Sequence, residues 1–142
     1  MKKRKLEAEF DFDFSLLGII SALKEYKLAW LLNNQLDVQL IKAKDIEIDF
    51  LNSQNLIISN YIFETDHNNL RMLKNKSMDQ FGDHSAYLLP ELKRFDYFIL
   101  KQGFEDTFTN LELKEKLSTI LKIQYVQLFS VEDLKSKENL IF

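Results

Sequence analysis

The sequence predicts an α+β fold: a mostly antiparallel sheet of about five to seven strands with two main helices packed on one face. Three observations predict it. Apolar residues alternate with polar ones over 6–14 and at Val38, Leu40, Ile46, Ile48 and Phe50, the runs Leu56–Thr65 and Leu70–Lys74 are apolar and strand-like, and the turn clusters Asn52-Ser-Gln-Asn55 and Asp66-His-Asn-Asn69 precede them. Two other stretches, 15–36 and 109–122, repeat their apolar residues at helical spacing. The last part of the chain reads strand, helix, strand, which makes a β-α-β unit. At 142 residues the expectation is one domain, 1–142, with one core.

The first element is Leu6-Glu-Ala-Glu-Phe-Asp-Phe-Asp-Phe14, in which apolar groups share one face and four carboxylates the other. Four carboxylates in a line diverge, so they read as a solvated face that discourages edge pairing and not as a cation site. Asp13 or Ser15 can cap the following helix, whose stripe is Ile19, Leu23, Tyr26 and Trp30. Trp30 is thereby assigned to the core. Strands follow at Val38–Leu40, Ile46–Phe50, Leu56–Thr65 and Leu70–Lys74, and 75–87 has no defined pattern.

Pro90 is the only proline and can stand first in one helical turn, with Glu91 favourably placed near its N-terminus. Residues 95–101, Phe-Asp-Tyr-Phe-Ile-Leu-Lys, then form a central strand, apolar on both faces. Thr109-x-x-Glu112 is a capping box that opens the second helix, with Leu113, Leu117, Ile120 and Leu121 on one face. A strand at 124–130 completes the β-α-β unit, Ser130-x-x-Asp133 starts a short helix, and the apolar end Leu140-Ile-Phe142 is expected to dock. The sheet face away from the helices is expected to stay open or to form a dimer interface.

Composition excludes several classes. The chain has no Cys, so it has no disulfide, thiolate metal site or cysteine nucleophile. A net charge of −3 and a pI near 5.4 give no electrostatic reason to expect nucleic acid or an anionic membrane. No apolar run reaches membrane-spanning length, and the basic start is followed by alternating acids in place of a signal-peptide core, so the expected location is cytoplasmic. The loop before the second helix, Lys101-Gln-Gly-Phe-Glu-Asp-Thr107, has one glycine and two carboxylates, which repel phosphate; no cofactor is expected.

Few residues qualify for chemistry. His67 and His84 each follow an aspartate, but both read as turn histidines, so no metal site is assigned. Glu91 and Asp96 are the carboxylate pair with acid-base potential. Asp96 shares a face with Phe98 and Leu100, so it must be hydrogen-bonded, paired or near the strand's open end. As a buried structural acceptor its removal would cost roughly 1–3 kcal/mol. Lys93 and Arg94 beside Phe95 and Tyr97 suggest charge plus stacking on single-stranded nucleic acid, against which the balanced local charge speaks. No catalytic residue is assigned.

The stretch Leu88-Leu-Pro-Glu-Leu-Lys-Arg-Phe-Asp-Tyr-Phe-Ile-Leu-Lys-Gln-Gly103 resembles the motif of the IPExxxVDY family of small Bacteroidetes proteins. Pro90, Glu91, Asp96 and Tyr97 match, while Leu89 and Phe95 stand where the family has isoleucine and valine. The helix segment Leu28-Ala-Trp-Leu-Leu-Asn33 and the ending Leu134-Lys-Ser-Lys-Glu-Asn-Leu-Ile-Phe142 are also similar to that family. The resemblance implies a cytoplasmic protein of unassigned activity. It marks Pro90, Glu91, Asp96 and Tyr97 as binding candidates and carries over no catalytic role. Two functions follow as expectations. The first is a non-enzymatic protein-protein interaction or adaptor module, self-associating as a homodimer or serving an unknown protein partner. The second is a small-molecule-binding protein or enzyme with a pocket near Glu91, Asp96 and Tyr97.

Overall fold

The structure, a computed structural model, describes residues 13–48, 55–81 and 84–142. The acidic alternating run therefore lies outside the described residues except for Asp13 and Phe14. The chain is α+β. A six-stranded antiparallel sheet has the order β10 (Ile123–Phe129), β1 (Ser15–Ser21), β9 (Tyr97–Gln102), β6 (Asn69–Lys74), β5 (Asn60–Glu64), β2 (Ile41–Lys42), and two small sheets pair β3 (Ile46–Ile48) with β4 (Leu56–Ile58) and β7 (Lys76–Phe81) with β8 (His84–Tyr87).

β1 spans Ser15–Ser21 and pairs with both β9 (Tyr97–Gln102) and β10 (Ile123–Phe129). This corrects the expected long helix over 15–36: only Glu25–Leu36 is helical, as α1. The reason is that β1 is covered on both faces. Leu16, Leu17 and Ile19 are fully buried, which leaves no alternation, and an unbroken apolar run does not separate strand from helix. Ser15 consequently lies in the strand and caps nothing. The residue preceding α1 is Lys24, which makes no side-chain cap. Ile19 belongs to β1, and the inner face of α1 is Leu28, Ala29, Leu32 and Leu36. Tyr26 and Trp30 are 63% and 60% exposed, so Trp30 is not a core residue.

The expected strand Leu56–Thr65 divides at buried Ser59 into β4 (Leu56–Ile58) and β5 (Asn60–Glu64). β5 pairs with the two-residue edge strand β2 (Ile41–Lys42) and with β6 (Asn69–Lys74), while β3 (Ile46–Ile48) pairs with β4. The undefined stretch 75–87 contains the hairpin of β7 (Lys76–Phe81) and β8 (His84–Tyr87). α2 spans Asn110–Ser118, and its capping box forms as the sequence predicts: the Glu112 N–H donates to Thr109 Oγ1 at 3.1 Å, and the Thr109 N–H to Glu112 Oε1 at 2.8 Å. β9 and β10 are both antiparallel to β1, so the unit β9-α2-β10 has parallel strands with β1 between them.

Both sheet faces are covered, which corrects the expectation of one open face. One core cluster joins α1 and α2 to Leu17, Ile19, Leu70, Met72, Tyr97 and Ile99. The second lies across the sheet, where Leu16, Leu73, Phe98 and Leu100 meet β4, the segment Leu88–Phe95, Val131 and Leu140. Leu140 docks as expected, whereas Phe142 stays half exposed beneath the Arg71 guanidinium, 5.4 Å from its ring centroid. Among the described residues no helix is long and apolar enough to cross a membrane.

Candidate functional site

The segment Leu88–Asp96 is built around one buried side chain. Asn75, between β6 and β7, is fully buried. Its Nδ2 donates to the Leu92 carbonyl at 3.0 Å and the Phe95 carbonyl at 2.9 Å, and its Oδ1 accepts the Leu89 N–H at 3.0 Å. Its backbone N–H donates to the Asp96 carbonyl at 3.0 Å, and its own carbonyl accepts the Leu88 N–H at 2.7 Å. All its polar groups are thus paired, as burial demands. Pro90 opens a 3₁₀ turn, Pro90–Leu92, where its missing N–H costs nothing. Phe95 follows, edge-on to Phe129 at 5.1 Å between ring centroids, and both rings lie over Gly18. A Cβ at Gly18 would come within 2.7 Å of each ring, so this position in β1 must lack a side chain.

Glu91 and Asp96 serve different neighbours. Glu91 faces the C-terminal segment, where its Oε2 accepts the Ser136 N–H at 2.8 Å. Partial burial pushes its carboxyl pKa up, but the hydrogen bonds from the Ser136 and Lys135 backbone outweigh that and leave it below the ordinary value. Asn139 Nδ2 reinforces the clasp by donating to the Leu88 carbonyl at 2.8 Å. Asp96 lies just before β9 and is exposed, not buried among Phe98 and Leu100. Its Oδ2 accepts the Ser21 N–H at 2.8 Å, and its own N–H donates to the Ile19 carbonyl at 2.8 Å. The acceptor role expected of Asp96 is therefore met across the sheet, at the end of β1. The two carboxylates do not form a catalytic pair.

Tyr97 is 3% exposed, and its hydroxyl donates to the Leu23 carbonyl at 2.5 Å. Burial raises its phenol pKa to about 12, and the Glu25 and Asp96 carboxylates and Tyr61 add to the shift. Ser21 holds the same loop from below: its Oγ donates to the Lys122 carbonyl at 2.8 Å and accepts the Leu23 N–H at 3.2 Å. With Phe95 and Tyr97 buried, neither ring can stack on a nucleic-acid base.

These contacts shape a cleft of about 400 Å³ at this end of the sheet. Asp96 and Tyr97 line it; Glu91 and Pro90 do not. Four lysines converge there from four positions: Lys24 at the start of α1, Lys74 closing β6, Lys76 opening β7, and Lys93 after the proline turn. Among the described residues none of the four has a carboxylate within ion-pair distance. The nearest acid in sequence, Glu25, accepts the Ser59 hydroxyl at 2.6 Å. Four lysines and one aspartate give the lining a formal charge of +3, in a chain whose total is −3. Such a site can hold an anion. Tyr97 stays protonated and engaged at neutral pH, so it is no general base there.

Sequence reading placed Asp96 and Tyr97 near a pocket but missed Asn75 and the lysines. Lys74-Asn75-Lys76 reads as a polar turn, and nothing local reveals that the asparagine turns inward while both lysines turn to one cleft. Among the described residues no group of three metal-ligating side chains occurs. His67 is exposed in the β5-β6 turn, and the His84 side chain lies outside the described residues. No family model, curated protein or solved structure matches the chain.

Proposed function

We propose that the protein is a cytoplasmic, non-enzymatic binding module that takes a small polyanion in the cleft formed by Lys24, Lys74, Lys76 and Lys93. One observation carries this reading: four lysines without carboxylate partners converge on one concavity in a chain that is otherwise acidic. Surface lysines normally intersperse with acids, and crowding like charges without a counter-ion is unfavourable, so a bound anion stabilises this arrangement. The volume, about 400 Å³, is in the range of small-ligand sites. Of the two functions the sequence left open, this geometry favours the ligand-binding one. The resemblance to the IPExxxVDY family is part of the proposal, since two of its motif residues, Asp96 and Tyr97, line the cleft, while Pro90 and Glu91 lie outside it in the preceding 3₁₀ turn.

The test is a nuclear magnetic resonance titration of the labelled protein with inorganic pyrophosphate. The expected result is saturable shifts confined to the amides of 21–24, 74–76 and 93–97. Absence of saturable shifts, or shifts spread over other lysine-bearing surfaces, would contradict it. The interaction-module reading has a separate observation in its favour, at the edge of the sheet next to β1.

A further inference from the structure

β10 is an edge strand of the main sheet, with β1 on one side and no strand on the other among the described residues. Its seven residues, Ile123-Gln-Tyr-Val-Gln-Leu-Phe129, include no charge and no proline. Edges are ordinarily guarded by charges, proline, brevity or a bulge, because unpaired backbone groups invite another strand. The opposite edge, β2, is only two residues long and includes Lys42. β10 has one guard, a register shift where Ile20 and Ser21 face Tyr125 and Ile123. That irregularity ends at Tyr125, and from there to Phe129 the ladder is regular.

This regular part, Tyr125-Val-Gln-Leu-Phe129, is a chemical palindrome: aromatic, aliphatic, amide, aliphatic, aromatic. A strand that pairs antiparallel with its own copy needs each residue to suit its mirror position across the two-fold axis. With Gln127 on the axis, Tyr125 faces Phe129 of the second copy, Val126 faces Leu128 of the second copy, and Gln127 meets itself. Aromatic and aliphatic cross-strand pairs stabilise a sheet, and no like charges are set opposite each other. Tyr125 and Leu128 are 46% and 42% exposed, so both have apolar surface left to cover. Beyond the palindrome the ends also suit each other. Lys122 precedes the strand and Glu132 and Asp133 follow it, so antiparallel pairing sets a basic end toward an acidic one. A strand from an unrelated protein would require none of this symmetry.

We infer that the chain forms a two-fold dimer in which β10 pairs antiparallel with β10 of a second copy about Gln127, joining two six-stranded sheets. The inference does not depend on the cleft. The chain lacks cysteine, so Gln127→Cys introduces a single thiol. Antiparallel neighbours lie about 4.5–5.5 Å apart at Cα, within disulfide reach. Mild oxidation is expected to convert this variant into a covalent dimer, while Ile41→Cys, on the other edge, gives only background. Light scattering is expected to give twice 16.9 kDa for the unmodified chain. Gln127→Lys and Gln127→Glu each place like charges on the axis and are expected to be folded monomers that dimerise when mixed. A monomer mass for the unmodified chain at high micromolar concentration, crosslinking no faster at position 127 than at 41, or no dimer on mixing would each overturn the inference.

Discussion

Phe95 and Asp96 are neighbours in the chain, yet they border two regions with opposite physics. On the Phe95 side, the proline turn closes over Asn75, every polar group of that side chain is paired, and the aromatic ring fills the space left by Gly18. On the Asp96 side, four lysines surround an open cleft without a matching carboxylate. The first region is satisfied from within the protein, so its residues hold the fold. On the function proposed above, the second is completed by negative charge supplied from outside. The contrast separates residues that stabilise from residues proposed to recognise, although apart from Lys24 the cleft lysines come from the same two segments as Asn75 and Phe95, 74–76 and 93–97.

The largest effect belongs to the buried side. Asn75→Ala removes one accepted and two donated hydrogen bonds and leaves the buried Leu89 N–H and Phe95 carbonyl unpaired, while the Leu92 carbonyl keeps the Phe95 N–H. It is expected to lower stability by about 3 kcal/mol, measured as a shift of the urea midpoint. A shift no larger than that of an average surface substitution would erase the distinction between the two sides.

Tyr97 stands at the boundary and has the next largest effect. Tyr97→Phe removes the hydrogen bond to the Leu23 carbonyl and is expected to cost about 1 kcal/mol at neutral pH. The pH dependence sharpens the point. The folded phenol pKa is raised to about 12 from 10.0, so its contribution is fully present below pH 10. The unfolded chain ionises first, and this contribution is lost as the pH climbs from 10 to about 12. Urea titrations across that window should show a larger loss in the parent chain than in Tyr97→Phe, which keeps only the smaller share from Tyr61, whose phenol pKa is also raised by burial.

Asp96→Ala tests the exposed side. Burial would have made its removal cost roughly 1–3 kcal/mol. Because the group is exposed, water can take over the Ser21 N–H, and about 1 kcal/mol or less is expected by thermal melting. A cost at the upper end of the burial range would mean that Asp96 belongs with Asn75 and not with the cleft.

The legibility of these regions in the sequence follows from how local their signals are. The proline turn, the capping box at Thr109 and the strand after Phe95 could be read because each rests on residues within a few positions of one another. The α+β class and the β9-α2-β10 unit followed from the same kind of pattern. β1 could not be read, because burial on both faces removes the alternation that marks a strand, and its apolar run merged with α1 into one false helix. Trp30 was misassigned for the same reason: the helical phase was counted from residues that lie in β1. The covering of the second face brings together distant parts of the chain, as where Leu88, Leu89 and Phe95 meet Val131 and Leu140 and the Glu91 carboxylate meets the Ser136 N–H. The cleft was hidden more deeply, since its lysines come from separate elements and only the topology brings them together.

The smallest expected effect on stability is paired with the largest on binding. Lys74→Gln/Lys76→Gln leaves the Asn75 network untouched and removes half of the cleft's positive charge. Its melting temperature should match that of the parent, since substitutions at the surface usually fall within about 0.5 kcal/mol. Calorimetric titration with inorganic pyrophosphate, on the parent and this double variant, tests the central claim most directly. The account predicts one saturable site in the parent that weakens with added salt, and an affinity at least about tenfold lower in the variant, equivalent to 1.4 kcal/mol. Equal binding by both proteins, or no binding by the parent, would contradict it.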